Sequence, residues 1–117
     1  MKKYWIIGSS SGIGKELAKK LDAKGYDLIL SSRNKEKLND LNDSLINNHE
    51  IIPLDLSDKS QCFDVSKNII DKDIDSLHII YMSATYSPDN SSDYENVINV
   101  NILGLLHILS VTKEFLK

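Results

Sequence analysis

The strongest constraint on the fold lies in the first two dozen residues. A short apolar run, Tyr4-Trp5-Ile6-Ile7, leads without a linker into Gly8-Ser9-Ser10-Ser11-Gly12-Ile13-Gly14. From Ile13 onward the apolar residues recur at helical spacing through Leu17, Ala18 and Leu21. A run of β-branched and aromatic residues ended by glycine reads as a buried strand. Lys19, Lys20 and Lys24 stand near the far end of the helix, where its negative pole favours cations, and Gly25 suits the cap just beyond. A plain serine-glycine turn would need neither the strand before it nor the amphipathic helix after it.

The same alternation continues along the chain. Leu28-Ile29-Leu30 is a second buried run, and Asn34 can cap a second helix with Leu38, Leu41 and Leu45 on its inner stripe. Ile51-Ile52-Pro53-Leu54 is a third strand. Proline cannot donate to a ladder, so this strand belongs at a sheet edge. Ser57 can cap a third helix carrying Cys62, Phe63, Ser66, Ile69 and Ile70 inward. Leu77 to Tyr81 is the fourth strand, Ser87 to Ser92 a polar loop, and a last helix is expected from about Asp93 to the end. Strands separated by helices imply a parallel sheet with right-handed crossovers. The expectation is an α/β, Rossmann-type doubly wound sheet, present in part, with strand order 3-2-1-4 and helices on both faces. Pro53 falls in the outermost strand of that order.

Length and composition bound the rest. A chain of 117 residues fits a single domain, and 41% apolar with 26% charged residues is an ordinary globular mix. Net charge is −3 with both signs interspersed, so no basic stripe points to nucleic acid. One cysteine, Cys62, rules out an internal disulfide framework, and His49, His78 and His107 are too scattered for a metal motif. No apolar stretch is long enough to span a bilayer. A reducing, cytoplasmic setting is the expected location.

The glycine turn has its own chemistry. A sharp turn, close approach of backbone to a pyrophosphate, and tight packing of helix on strand each require glycine. The following helix presents unpaired N–H groups and about half a positive charge to the phosphates. Ser9, Ser10 and Ser11 can add hydroxyl donors. The spacing is Gly-x-x-x-Gly-x-Gly, and no Gly-Lys-Ser/Thr follows, which excludes the phosphate loop of ATPases.

Residues 7–14, Ile-Gly-Ser-Ser-Ser-Gly-Ile-Gly, resemble the cofactor loop of the short-chain dehydrogenase/reductase family. That family usually has threonine where this chain has Ile7. The resemblance implies that Gly8, Ser10, Ser11, Gly12, Ile13 and Gly14 cradle the pyrophosphate of NAD or NADP. By family spacing from Gly25, Ser32 occupies the position at which NAD-specific relatives carry a ribose-binding acid. Ser32 has no charge to repel a 2′-phosphate, and Arg33 beside it could grip one. This favours NADP over NAD, with Arg33 pointing to water near Asn34 and Glu36 as the plain alternative. Ser11 stands where some relatives carry a basic residue.

Asp55 and Leu56 resemble the family's adenine contact; either Asp55 or Ser57 could instead cap the third helix. The family's Asn-Asn-Ala-Gly corresponds here to Met82-Ser83-Ala84-Thr85, so Ser83 and Ala84 would pass beside the ribose with altered hydrogen bonding. Asn99-Val100-Asn101-Ile102-Leu103-Gly104 resembles the family's Asn-x-x-Gly helix segment and places the proton-relay asparagine at Asn101. A polar residue satisfied by its own helix is the alternative for Asn101.

The family moves a hydride between nicotinamide and a carbonyl or alcohol carbon. It uses a tyrosine whose pKa is lowered by a lysine four residues on. None of Tyr4, Tyr26, Tyr81, Tyr86 and Tyr94 has that lysine. The resemblance therefore covers the front half of the family's domain. Residues 1–117 are expected to be one NAD(P)-binding domain ending before the fifth strand, inactive by itself, with the small-molecule substrate open. A non-catalytic NAD(P)-binding or sensing module, or a protein that interacts through its last helix, are the alternatives. Val97, Ile98, Val100, Ile102, Leu103, Leu105, Leu106, Ile108, Leu109 and Val111 surround that helix, so it is expected to be covered on several sides, by later strands and helices or by a second subunit, with a homo-oligomer through it as the expected partner.

Overall fold

A computed structural model of the protein describes residues 2–10, 12–71, 74, 76–82 and 102–113. The chain alternates strand and helix: β1 (Lys2–Ile7), α1 (Gly12–Ala23), β2 (Leu28–Ser31), α2 (Lys35–Ser44), β3 (Glu50–Ile51), α3 (Lys59–Ile70) and β4 (Ser76–Tyr81). A further helix, α4, spans Gly104–Thr112. Among the described residues the strands form one parallel sheet in the order β3-β2-β1-β4. Register runs Trp5 to Ile29 on one side of β1 and Trp5 to Ile79 on the other.

Both sheet faces are covered, so each strand buries residues in both directions. Trp5 and Ile7 from β1 and Ile29 from β2 enter one core with Leu54, Cys62, Ile69, Leu77 and Ile108. Ile6, Leu28 and Leu30 enter the opposite core with Ala18, Leu38 and Leu41. The period of two is complete, yet unbroken apolar runs hide it in the sequence. Helices α1 and α2 thus lie on one face, and α3 and α4 on the other. On the second face the Phe63 and His107 rings meet at 5.5 Å between centroids.

Local chemistry sets the element ends. The Asn34 side chain accepts from the Lys37 N–H at 3.0 Å and caps α2 as expected. Gly25 takes φ +86° after α1, where a side chain would be strained. The cap of α3 is Asp58, which accepts from the Gln61 N–H at 3.1 Å, rather than Ser57. Ser57 instead donates through its N–H and hydroxyl to the Asp55 carboxylate at 3.0 and 2.7 Å. A carboxylate two residues upstream outcompetes the helix for that serine.

Strand β3 lies at the edge, as Pro53 requires, but its regular part is shorter than residues 51–54. Ile52 and Leu54 still donate to Leu30 and Ser32 at 2.9 Å each. Pro53, between them, faces the open side, where no donor is needed.

Two further expectations need adjusting. Ile13 is 73% exposed and does not belong to the inner stripe of α1, which is Gly14, Ala18 and Asp22 with Leu17 and Leu21 half-buried beside them. The last helix is described from Gly104, and the residues 93–101 assigned to it lie outside the described residues. Among the described residues no helix is long and apolar enough to cross a membrane, and no group of His, Cys, Asp or Glu could hold a metal ion.

Candidate dinucleotide site

Strand order reverses at β1, whose neighbours β2 and β4 lead to helices on opposite faces. In open α/β sheets ligands sit beyond the carboxyl ends of the strands at such a reversal. The residues just beyond those ends are Gly8 after β1, Ser32 after β2 and Met82 after β4. The Met82 N–H donates to the Ile7 carbonyl at 2.8 Å, which holds the ends of β1 and β4 together.

Each glycine of the loop has a distinct physical reason. Gly8 turns the chain at φ +93°. Gly12 opens α1 at φ +60°, and a Cβ there would meet nothing within 4 Å. Gly14 is the opposite case. A Cβ on it would land on the Gly8 carbonyl oxygen and lie 2.9 Å from its carbonyl carbon and 3.2 Å from Ser9 Cα. Helix α1 can therefore approach the turn only with hydrogen at position 14. Open space at Gly12 above a tightly packed Gly14 fits a backbone cup for linked phosphates.

Ser31 anchors this turn, a role the sequence reading missed. It is fully buried at the end of β2. Its carbonyl accepts from the Gly8 N–H at 2.8 Å, the Ser9 N–H at 3.3 Å and the Ser9 hydroxyl at 3.4 Å. Its own hydroxyl accepts from the Trp5 indole N–H at 2.8 Å. A buried tryptophan needs a partner for that donor, and Trp5 within a buried strand was the signal for one. Ser9, a candidate hydroxyl donor to phosphate in the sequence, is instead buried and turned to Ser31.

The other expected residues are placed as follows. Ser10, Gly12, Ile13 and Gly14 lie together at the loop and the first turn of α1. Ser32 is half-buried, and its hydroxyl exchanges hydrogen bonds with the backbone of Asn34 at 3.3 and 3.4 Å. Arg33 is exposed and lines a shallow depression with Asn34, Lys35 and Glu36. Asp55 and Leu56 follow β3; Leu56 is buried in the core, and one Asp55 oxygen is taken by Ser57. Ser11, Ser83, Ala84 and Asn101 lie outside the described residues.

A second depression of about 430 Å³ opens from the same loop and runs between α1 and α2. Ser10, Gly12, Lys15, Lys19, Lys37 and Asp40 line it.

Two titratable groups lie under the β4 end. Burial raises the Cys62 thiol to about 11, helped by the Asp58 and Asp55 carboxylates, so it stays protonated and unreactive at neutral pH. Burial, with Cys62 nearby, lifts the Tyr81 phenol to about 12. Neither group exchanges protons near neutrality.

The comparisons with known proteins agree with this geometry. The family model for short chain dehydrogenase matches residues 2–117. An oxidoreductase of Staphylococcus epidermidis is 33% identical, covering 95% of this chain and 50% of the relative. The 3-oxoacyl-acyl-carrier-protein reductase of Rickettsia prowazekii is also 33% identical, covering 83% of this chain and 41% of the relative. This chain thus spans about half the length of the curated relatives it matches. A short-chain type dehydrogenase/reductase from Mycobacterium ulcerans superposes with a TM-score of 0.84 at 20% identity, over 97% of this chain and 46% of that one. An alcohol dehydrogenase from Thermococcus sibiricus, complexed with 5-hydroxy-NADP, is 25% identical with a TM-score of 0.77, over 98% of this chain and 53% of that one.

Proposed function

The chain belongs to the short chain dehydrogenase family, and on that premise we propose that it forms the cofactor-binding half of an oxidoreductase that uses NADP(H) on a small carbonyl or alcohol. The observation that carries this reading is the glycine turn, open above Gly12 and closed beneath Gly14 by contact with Gly8. The bound cofactor would supply the hydride. The residues of this chain bind and orient it: Gly8, Ser10, Ser11, Gly12, Ile13 and Gly14 around the pyrophosphate, Asp55 and Leu56 toward the adenine, and Ser83 and Ala84 beside the ribose. Ile13, exposed at the mouth of the turn, presents an apolar surface to the ligand.

The choice of NADP rests on Ser32 and Arg33. At the end of β2 no carboxylate is present to hold ribose hydroxyls or repel a phosphate, and Arg33 is exposed without an ion-pair partner among the described residues. A hydrogen bond to a charged group contributes roughly 1.5–3 kcal/mol. NADPH should therefore bind at least tenfold more tightly than NADH, on the order of 1.4 kcal/mol per tenfold. Titration of the protein with both nucleotides, alongside Arg33→Ala, tests this. A variant that keeps the full NADPH preference removes Arg33 from the cofactor choice and leaves NAD as the alternative. Asn101 is assigned the proton-relay role that its family position implies.

A second reading concerns assembly. Ile102 and Leu106 of the last helical segment are each 53% exposed. Apolar surface of this kind favours a covering partner, and a homo-oligomer through this segment is the proposed arrangement. Sedimentation of wild type beside Leu106→Glu is the check: a clean monomer in both ends the idea.

A further inference from the structure

The groove between α1 and α2 has a charge opposite to that of the chain that contains it. The whole sequence carries −3, yet Lys15, Lys19 and Lys37 line the groove against the single carboxylate of Asp40. Lys19 is engaged by Glu16 at 3.7 Å on the helix surface. Lys15 and Lys37 have no ion-pair partner among the described residues. Both lie in the first turns of their helices, α1 and α2. Cations there oppose the helix dipole and destabilise the free protein, and an anion between them relieves both effects. The first turn of α1 contains no acidic residue that would do so internally, whereas that of α2 contains Glu36, so the effect is strongest at Lys15.

We propose that Lys15 and Lys37 are specificity-determining residues for the cofactor, holding its 2′-phosphate from the groove side while Arg33 faces it from the end of β2. The inference rests on the NADP reading above. Three observations select this occupant. The groove starts at Ser10 and Gly12, the same residues that form the phosphate cup, so an anion tethered to a bound dinucleotide reaches it without leaving the site. The two ammonium groups come from separate helices, which suits a compact dianion that accepts from several directions better than a planar carboxylate. The depression around Arg33 includes Glu36, which partly cancels Arg33 and Lys35. The groove supplies the excess positive charge that Arg33 lacks.

The probes are adenosine 2′,5′-bisphosphate and adenosine 5′-diphosphate, titrated calorimetrically into wild type, Lys15→Gln, Lys37→Gln, the double variant and Arg33→Ala. Circular dichroism and the thermal midpoint show that each variant is folded. Each single lysine variant should weaken the bisphosphate about three- to fivefold, the range of partly exposed ion pairs, and lessen its salt dependence. The diphosphate should stay within about twofold for these screened charges. Lys37→Arg, which keeps the charge, should retain bisphosphate binding. Equal weakening of both probes, or none in either, overturns the inference. If wild type prefers the bisphosphate and only Arg33→Ala abolishes that preference, the lysines are refuted and the NADP reading stands. If wild type shows no preference, the NADP reading fails and the inference with it.

Discussion

The two faces of the sheet are held by different physics. The face covered by α1 and α2 combines an apolar core with a buried polar hub. The face covered by α3 and α4 is mainly apolar: a buried bond from the Trp5 indole N–H to the Ser31 hydroxyl crosses its strands, and Ser66 Oγ and His107 Nδ1 are buried there without a hydrogen-bond partner among the described residues.

The hub is Asp22, 2% exposed on the inner stripe of α1. Its carboxylate accepts from the backbone N–H groups of Ile46 at 2.7 Å and Asn47 at 3.1 Å, from the Asn47 amide at 3.1 Å and from His49 Nε2 at 2.8 Å. His49 Nδ1 accepts from the Leu28 N–H at 3.2 Å, which fixes the ring as the Nε2–H tautomer. One helix residue thereby ties together α1, the turn after α2 and the start of β2. The comparison teaches that the face covered by α1 and α2 is fixed by a polar hub with several partners, whereas the other relies mainly on volume, with the Trp5–Ser31 bond as a directional tie beneath the loop.

Removing volume from the apolar face should produce the largest loss. Ile69→Ala is expected to cost about 4 kcal/mol, the range for a fully buried isoleucine, while nucleotide affinity per folded molecule stays unchanged. Chemical denaturation paired with cofactor titration measures both; a drop in affinity of the folded fraction would mean that the two faces are coupled.

The hub should show itself in the pH dependence. Burial would raise the Asp22 pKa, but the bonds from His49, Ile46 and Asn47 outweigh it and lower the value from 3.8 to about 2. Because the folded value lies below the unfolded one, the stabilising contribution is complete above about pH 4 and is lost as pH falls toward 2. Its size is roughly 2 kcal/mol. Asp22→Asn should be destabilised by about that amount at neutral pH and should flatten the acid limb of the stability curve. An unchanged acid limb would assign the effect elsewhere.

Ser31→Ala tests the directional tie of the apolar face, the bond from Trp5 to Ser31. Loss of the acceptor for the Trp5 indole should cost about 1 kcal/mol, while nucleotide binding should stay essentially unchanged, because Gly8 and Ser9 are held by the Ser31 carbonyl, which alanine keeps. A clear loss of nucleotide affinity in the folded variant would show that the hydroxyl, and not the carbonyl alone, positions the loop. The smallest effect is expected at Ser66. Its hydroxyl has no partner among the described residues, so Ser66→Ala should be neutral within about 0.5 kcal/mol or slightly stabilising. A loss above 1 kcal/mol would show that the layer contains a hydrogen bond the comparison lacks.

Much of this architecture was legible in the sequence because it rests on local rules. Apolar runs marked β1, β2 and β4, glycine spacing marked the turn, and Pro53 marked the edge. The misreadings arose where neighbours compete. Asp55, Ser57 and Asp58 all have the chemistry of a helix cap, and only the tertiary path shows that Asp58 takes the role while Ser57 serves Asp55. Ile13 fits the helical period of α1, yet the opening of the crevice leaves it exposed. Asp22 and His49 are 27 residues apart, and no pattern of one residue type announces such a pair. Ser31 was invisible for a related reason: its contribution is mostly a backbone carbonyl, which every residue owns. At the candidate site, the glycines could be read because backbone geometry constrains them directly, whereas the lysines of the groove required two helices to be placed side by side.

Pro53 has a consequence for how the molecule meets its own copies. Its ring nitrogen occupies the outward position between Ile52 and Leu54, whose N–H groups both point inward to β2. A foreign segment approaching that rim finds a gap in the row of donors it would need. Head-to-head ribbon growth and fibre templating are thereby discouraged on that flank, and self-association is left to surfaces made of side chains.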